Sequence, residues 1–268
     1  MRSTKRNLLA VLIFSFLTIP AIAQNTIEVP LTDPGQSGTL SINAMFSDEI
    51  TVRSHNQQNV IINYSGDGIR EDESEAMKNG MKRISGGGMG LEVVEDNNEV
   101  EISTGPFPTD DLEMTVYVPR NFSIKLNTVQ GDVSVFGVEG ELEISAVNGD
   151  IELGDINGSV LVNSVNGDMN VDFNSITPGS PMSFTGVNGD MEIAFPADAK
   201  FTAKMKTEWG DVYTNFDMEI DREGTRSESD SNEGFKIAIN KWIIGKVNGG
   251  GPEFLFKTLH GDISIRKK

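Results

Sequence analysis

From residue 122 to residue 173 the apolar and polar positions of this chain fall into one fixed frame. Glycine returns at 131, 140, 149, 158 and 167, nine residues apart each time. The units that it heads read GDVSVFGVE, GELEISAVN, GDIELGDIN, GSVLVNSVN and GDMNVDFNS, preceded by FSIKLNTVQ. Positions three, five and eight are nearly always aliphatic, position two is Asp, Glu or Ser, and position nine is usually Asn, Glu or Gln. The frame returns after Pro178-Gly179 as SPMSFTGVN and GDMEIAFPA, and again near the C-terminus as PEFLFKTLH and GDISIRKK.

Two architectures use such a repeat: an antiparallel meander with Asn-Gly hairpins, or a solenoid of short strands stacked coil on coil. In a meander strand, positions three and five would be followed by an inward seven, because side chains alternate with a period of two. Here the third apolar position is eight. The skip predicts a bend at positions six and seven, occupied by Phe136-Gly137, Ser145-Ala146, Gly154-Asp155 and Asn163-Ser164, after which position eight turns inward again. Short sides joined by corners are the requirement of a β-solenoid. The tetrads beginning at Val129, Val147 and Val165 lie eighteen residues apart, which predicts about two nine-residue, Gly-cornered units per coil. Val133, Ile151 and Met169 would then stack in one interior column and Val135, Leu153 and Val171 in the next. Glycine at the corner permits φ > 0, and Asn before it tolerates the same region.

Residues 24–120 lack the glycine register but alternate as strands do: Leu40-Ile42, Ile50-Val52, Val60-Ile62, Leu91-Val93, Val100-Ile102 and Leu112-Met114-Val116-Val118. They are expected to be an irregular part of the same stack that caps its open edge, with 121–268 as the regular repeat part of a single domain. In REDESEAMKNGMKRI, residues 70–84, Ala76, Met77, Met81 and Ile84 share a helical face, predicting one short helical insertion. The acidic, serine-rich stretch 217–234 carries few aliphatics and is expected to be a disordered loop.

The first 23 residues read as a secretory signal peptide: Arg2, Lys5 and Arg6, an apolar run from Leu8 to Ile19, then Ala21-Ile22-Ala23 ahead of Gln24. They predict an exported protein, in the periplasm or at the cell surface, with no membrane span after cleavage. There is no cysteine, so neither a disulfide framework nor an acylated lipoprotein cysteine is possible. The net charge of -18 becomes more negative once the signal cations are removed, which excludes nucleic acid as a partner.

Candidate chemistry is sparse. Asp132, Asp150 and Asp168 occupy position two of alternate units, with Asp190, Asp211 and Asp262 in later copies. Stacked coils would place these carboxylates ~4.8 Å apart, a spacing that a hard cation such as Ca²⁺ could relieve. Asp in a turn more often accepts backbone N–H bonds, and a calcium roll needs more glycines per unit than the single one here. Turn structure is the favoured reading. His55 and His260 are the only histidines. His55 lies in a polar loop sequence and His260 takes the corner place of Asn, so neither is assigned as catalytic. Trp209 replaces Asn in E-W-G-D, where an exposed indole could stack on a sugar or protein ligand; the competing reading has it covering the side of the solenoid.

The signal, the I-S-G-G-G-x-G-L-E-V stretch at 84–93 and the repeated V-N-G-D tetrads resemble the putative-adhesin family of secreted bacterial β-strand-repeat proteins, a domain of unknown function. The resemblance implies a β-solenoid at the cell surface or in the periplasm, with adhesion as its role and no catalytic residues. The expected function is therefore an exported, non-catalytic binding or structural module of the cell envelope, not an enzyme, whose ligand is an envelope or surface glycan or protein. The alternatives are a solenoid enzyme acting on polysaccharide, and a calcium-stabilised surface protein.

Overall fold

A computed structural model describes residues 25–66, 77–78, 81–82, 91–105, 112–221, 226–231, 234–239 and 242–268. The signal-like segment 1–23 and most of 84–93 lie outside the described residues. Among those described the chain is all-β, with no helix, and nineteen strands form one continuous, mostly parallel sheet folded into a solenoid-like stack.

The stack has two faces that meet at a corner. Along the first, strand 142–148 lies parallel between 123–130 and 160–166, with Leu142 beside Ile124 and Val160. Along the second, Ile151 lies beside Val133 and Met169. Alternation does the rest: Ile124, Leu126, Leu142, Ile144, Val160 and Val162 point inward from one face, and Val133, Val135, Ile151, Leu153, Met169 and Val171 from the other, all at most 2% exposed. Toward the C-terminal coils the same columns change from aliphatic to aromatic. Phe173 stacks on Phe195 at 4.9 Å, Phe184 on Phe256 at 5.3 Å and Phe201 on Phe254 at 4.7 Å between ring centroids.

Chain order and spatial order part company at both ends. Strand Thr39–His55 pairs in parallel with Ser123–Phe136 on one side and with Glu99–Ser103 and Glu113–Pro119 on the other, so an early coil is sandwiched between two later ones. Residues 253–267 insert likewise between 182–195 and 201–214. Antiparallel strands finish each end: Glu92–Asp96, Asn59–Ser65 and Asn25–Pro30 at one, Ile243–Val247 and Met218–Asp221 at the other. Residues 24–120 thus combine end strands with one coil of the interior.

Three expectations need correction. Position eight faces inward only in alternate units: Val138 and Ile156 are fully buried, whereas Val147, Val165, Val187 and Leu259 are 37–40% exposed. The skip happens where Gly137 (φ 74) or Asp155 (φ 55) takes a left-handed conformation and flips the next residue inward. Approaching the Asn-Gly corner, alternation continues unbroken, and Thr128, Ala146 and Ser164 at position seven take the inside place. The helix expected over 70–84 is described only at Met77–Lys78 and Met81–Lys82, and these pair antiparallel as strands. The Asn-Gly dipeptide between them in the sequence is a hairpin signal that outweighs a weak helical face. The loop expected over 217–234 contains strand Met218–Asp221, paired with Ile243–Val247, while Arg226–Ser231 pairs antiparallel with Gly234–Ile239. Backbone pairing joins these segments, and Met218 adds packing against the core.

At the corner the glycines are obligatory. Gly167 has φ 139, and a Cβ there would stand 2.0 Å from the carbonyl oxygen of Gly149 one coil below; Gly149 and Gly189 meet their own lower neighbours in the same way. Backbone rests on backbone, with no room for a methyl group. Gly167→Ala is therefore expected to cost about 2–4 kcal/mol in denaturant unfolding, whereas Gly179→Asn, where a Cβ meets nothing within 4 Å and Asn tolerates the left-handed region, should stay within about 0.5 kcal/mol.

At the end built by the early strands, Glu95 accepts the N–H of Thr32 and of Asn98, each at 3.0 Å, and the Thr32 hydroxyl at 3.1 Å. The two backbone N–H groups, chiefly that of Thr32, hold its carboxyl below its ordinary value. A depressed carboxyl contributes stability above its unfolded-state pKa and loses it as pH falls through the folded one. Glu95→Gln should therefore lower the neutral plateau of the stability–pH curve, converge with the parent in acid and so shallow the acid limb, as followed by thermal melts from acidic to neutral pH.

Candidate functional site: the glycine–aspartate corner

Each coil delivers the same short sequence to this corner, so equivalent side chains line up along the stack in columns. The aspartates form a ladder through the backbone rather than through each other. Asp132 Oδ1 accepts the N–H of Asp150 at 2.9 Å, Asp150 that of Asp168 at 2.8 Å, and Asp168 that of Asp190 at 2.8 Å. The ladder then follows spatial order, with Asp190 accepting from Asp262 and Asp262 from Asp211, both at 2.8 Å. The expectation that each Asp bonds backbone N–H groups of its own turn gives way to bonds between neighbouring coils. Among the described residues no group of three or more His, Cys, Asp or Glu side chains is placed to hold a metal ion.

One residue earlier runs an amide ladder. Asn166 donates through Nδ2 to Asn148 Oδ1 at 2.9 Å and Asn188 to Asn166 at 2.8 Å, while Asn148 donates to the carbonyl of Val129 at 3.2 Å. In the next two coils His260 and then Trp209 take the amide's place. Their rings stack at 6.3 Å with 9° between planes, so the ladder continues as a pair of flat aromatic groups. Trp209 is 71% exposed, which rules out the reading in which it covers the side of the solenoid. Close by, Tyr213 is exposed and donates to Asp211 Oδ2 at 3.4 Å. The carboxylates of Asp211 and Asp262 raise its pKa, because ionisation would add a third negative charge.

Before the amides comes an apolar column of Met45, Val129, Val147, Val165, Val187 and Leu259, partly or largely exposed. Met45, Val129, Val147 and Val165 of this column, with Asn43, Asn127 and Asn163, line a groove along the first face. Sequence reasoning missed this column by sending position eight inward. His55, the other histidine, touches the Asn59 carbonyl at 2.8 Å, and the second tryptophan, Trp242, lies under Lys204 and Lys206 at 5.1 and 5.6 Å.

An in-register parallel stack with a Gly-Asp corner in every regular coil is the arrangement to set beside known proteins. Residues 121–241 match the family Toastrack DUF4097. Over these residues the chain is similar to the Toastrack family. Beyond them the likeness extends along the fold. A putative cell adhesion protein from Clostridium sporogenes ATCC 15579 has 15% identity and a TM-score of 0.50, covering 92% of this chain and 99% of its own. A putative adhesin from Bacteroides fragilis NCTC 9343 has 12% identity and a TM-score of 0.40, covering 93% and 99%. At 15% identity the Clostridium likeness concerns the fold alone. No curated protein matches the chain. The ladders described above fall within the residues similar to that family as far as Asp211, and the C-terminal coil that completes them lies beyond them.

The aspartate ladder separates two roles of the carboxylate that substitution can resolve. Asp150→Asn keeps the Oδ1 acceptor and removes one charge from a like-charged column, so it should match or slightly exceed the parent in stability at low salt. Asp150→Ala removes the acceptor for the Asp168 N–H and should lose about 1 kcal/mol, measured by urea unfolding of both variants at two salt concentrations.

Proposed function

We propose that this protein is an exported, non-catalytic binding module of the cell envelope, a solenoid of nine-residue units, two per coil, that presents its glycine–aspartate corner to an envelope or surface glycan or protein. The observation that carries the reading is Trp209: an indole left 71% exposed on a rigid corner and backed by a parallel His260 ring. A large flat apolar group held in water by its scaffold is arranged to be covered by something else. The adjacent amide and carboxylate columns supply hydrogen-bonding groups suited to hydroxyl-rich or polar partners, and the carboxylates turn away polyanions. Sequence supports export through the signal-like first 23 residues. Among the described residues no helix is long and apolar enough to cross a membrane. The adhesion in the printed name of the Clostridium protein agrees with a surface role.

At the corner His260 stacks on the indole, five of the six Asp side chains accept backbone N–H groups, and Asp211 accepts the Tyr213 hydroxyl at a long 3.4 Å. Binding without turnover is the expected behaviour. On an array of soluble glycans and envelope extracts the protein should bind without releasing reducing sugar, and Trp209→Ala should weaken that binding about tenfold while its melting temperature stays with the parent's. Undiminished binding by the Ala variant, or product formation, would overturn the proposal.

A further inference from the structure

The last residues of the chain do not form the last layer of the stack. Glu253–His260 and Ile263–Lys267 lie between the 182–195 coil and the 201–214 coil, although those two are consecutive in sequence and joined by residues 196–200 alone. Among the described residues no strand within 201–221 or 243–247 pairs with any strand of 182–195, and the strand pairing that ties the C-terminal end of the stack to its body runs through 253–267. On the body side His260 donates to the carbonyl of Val187 at 2.8 Å and Met191 to that of Asp262 at 2.8 Å; on the other side Gly261 donates to Trp209 at 3.1 Å and Ile263 to Asp211 at 2.9 Å. Either side of the connection Phe195 meets Phe201 at 4.9 Å.

Synthesis order makes this arrangement consequential. The early inserted coil, 39–55, exists before the strands that enclose it, but 253–268 follows both of its neighbours. Until it arrives, 182–195 and 201–214 each present an unpaired parallel edge, and between them a gap fits one strand–corner–strand segment. Such a pair of edges is a site for strand addition. The entering segment is well marked: Phe254, Phe256, Ile263 and Ile265 are fully buried, Asp262 supplies the rung between Asp190 and Asp211, and the preceding Asn248, Gly249 and Gly250 all have positive φ in a surface turn.

We propose that the gap between the 182–195 and 201–214 coils is a strand-acceptor site and that residues 253–268 are a separable donor coil, able to enter the same site of a second copy of this chain. The donor also carries His260, so the Trp209 corner is complete only when the site is filled. This inference stands apart from what the corner binds, and its test uses no ligand.

The test places a protease site between Gly249 and Gly250 of the full chain, cuts the folded protein, and adds a labelled peptide of residues 251–268 in mild denaturant. The expected result is that the peptide replaces the resident segment and co-elutes with the body, while a peptide carrying Phe256→Asp does not. Exclusion of the parent peptide from a body that keeps its far-ultraviolet spectrum, or equal uptake of both peptides, would overturn the proposal. Hydrogen exchange on the uncut chain gives a second reading that does not depend on the insertion. Residues 201–214 and 253–267 should open together about tenfold or more faster than 142–173. Exchange of 253–267 in step with 142–173 would equally refute a separable coil.

Discussion

The whole stack depends on how closely one corner's backbone can approach the next. Parallel strands pair in register only if corners keep the same spacing as strands, ~4.8 Å, and at that distance a side chain on the glycine would collide with the carbonyl below. Gly149, Gly167, Gly189 and Gly261 each place the missing Cβ 2.0–2.2 Å from that oxygen. Removing one methyl group per coil lets the interior columns meet. Isoleucine over valine over methionine then excludes water along the length of the stack, and the stability of a chain with no cysteine follows from repetition of that contact.

The same closeness creates the electrostatic problem of the corner and solves it. Six carboxylates at strand spacing repel one another, in a chain whose net charge is already -18. Five of them accept a backbone N–H from the next coil at 2.8–2.9 Å, a charge-assisted bond that fixes the rung, and the sixth, Asp211, accepts the Tyr213 hydroxyl, while exposure to water screens the rest. The amide column beside it carries no charge and is satisfied by its own members. Two ladders with different chemistry thus run side by side, and the surface they make is rigid, acidic and periodic. Only at the C-terminal end does the pattern change, where His260 and Trp209 replace amides by rings.

The repeat was legible because it is written in residue types that the backbone demands. Gly with Asp after it and Asn before it reported the corner, and aliphatics at positions three and five reported the interior columns later seen in Val133, Ile151 and Met169. Trp209 stood out as a departure from Asn at a known place. What sequence could not show was decided by single dihedral angles or by long-range order. The left-handed Asp155 sends Ile156 inward, but nothing in V-N-G-D distinguishes Val165, which faces water, from an inward residue. The final GDISIRKK was recognisable as a return of the frame, yet the frame is equally satisfied at the end of the stack or one layer inside it. The strand pairing of Met218–Asp221 is marked in sequence only by the short alternation of Met218 and Ile220 within an acidic, serine-rich stretch, too brief a signal to read as a strand.

A solenoid must also end, and this one ends by changing strand direction. Parallel layers can add without limit, because every coil offers the next the same edge. An antiparallel strand breaks that equivalence: Glu92–Asp96 and Asn25–Pro30 at one end and Ile243–Val247 at the other do not reproduce the register that a further parallel coil would need. Charged residues on the first of these and Pro30 on the second discourage pairing with a neighbouring molecule. Insertion of one coil behind each cap then ties the ends to the body by chain segments distant in sequence, so that neither cap can peel away as a simple continuation of its nearest repeat. The corner bearing Trp209 sits within such a tied end, where a rigid support for an exposed ring is combined with a surface that no further coil will cover.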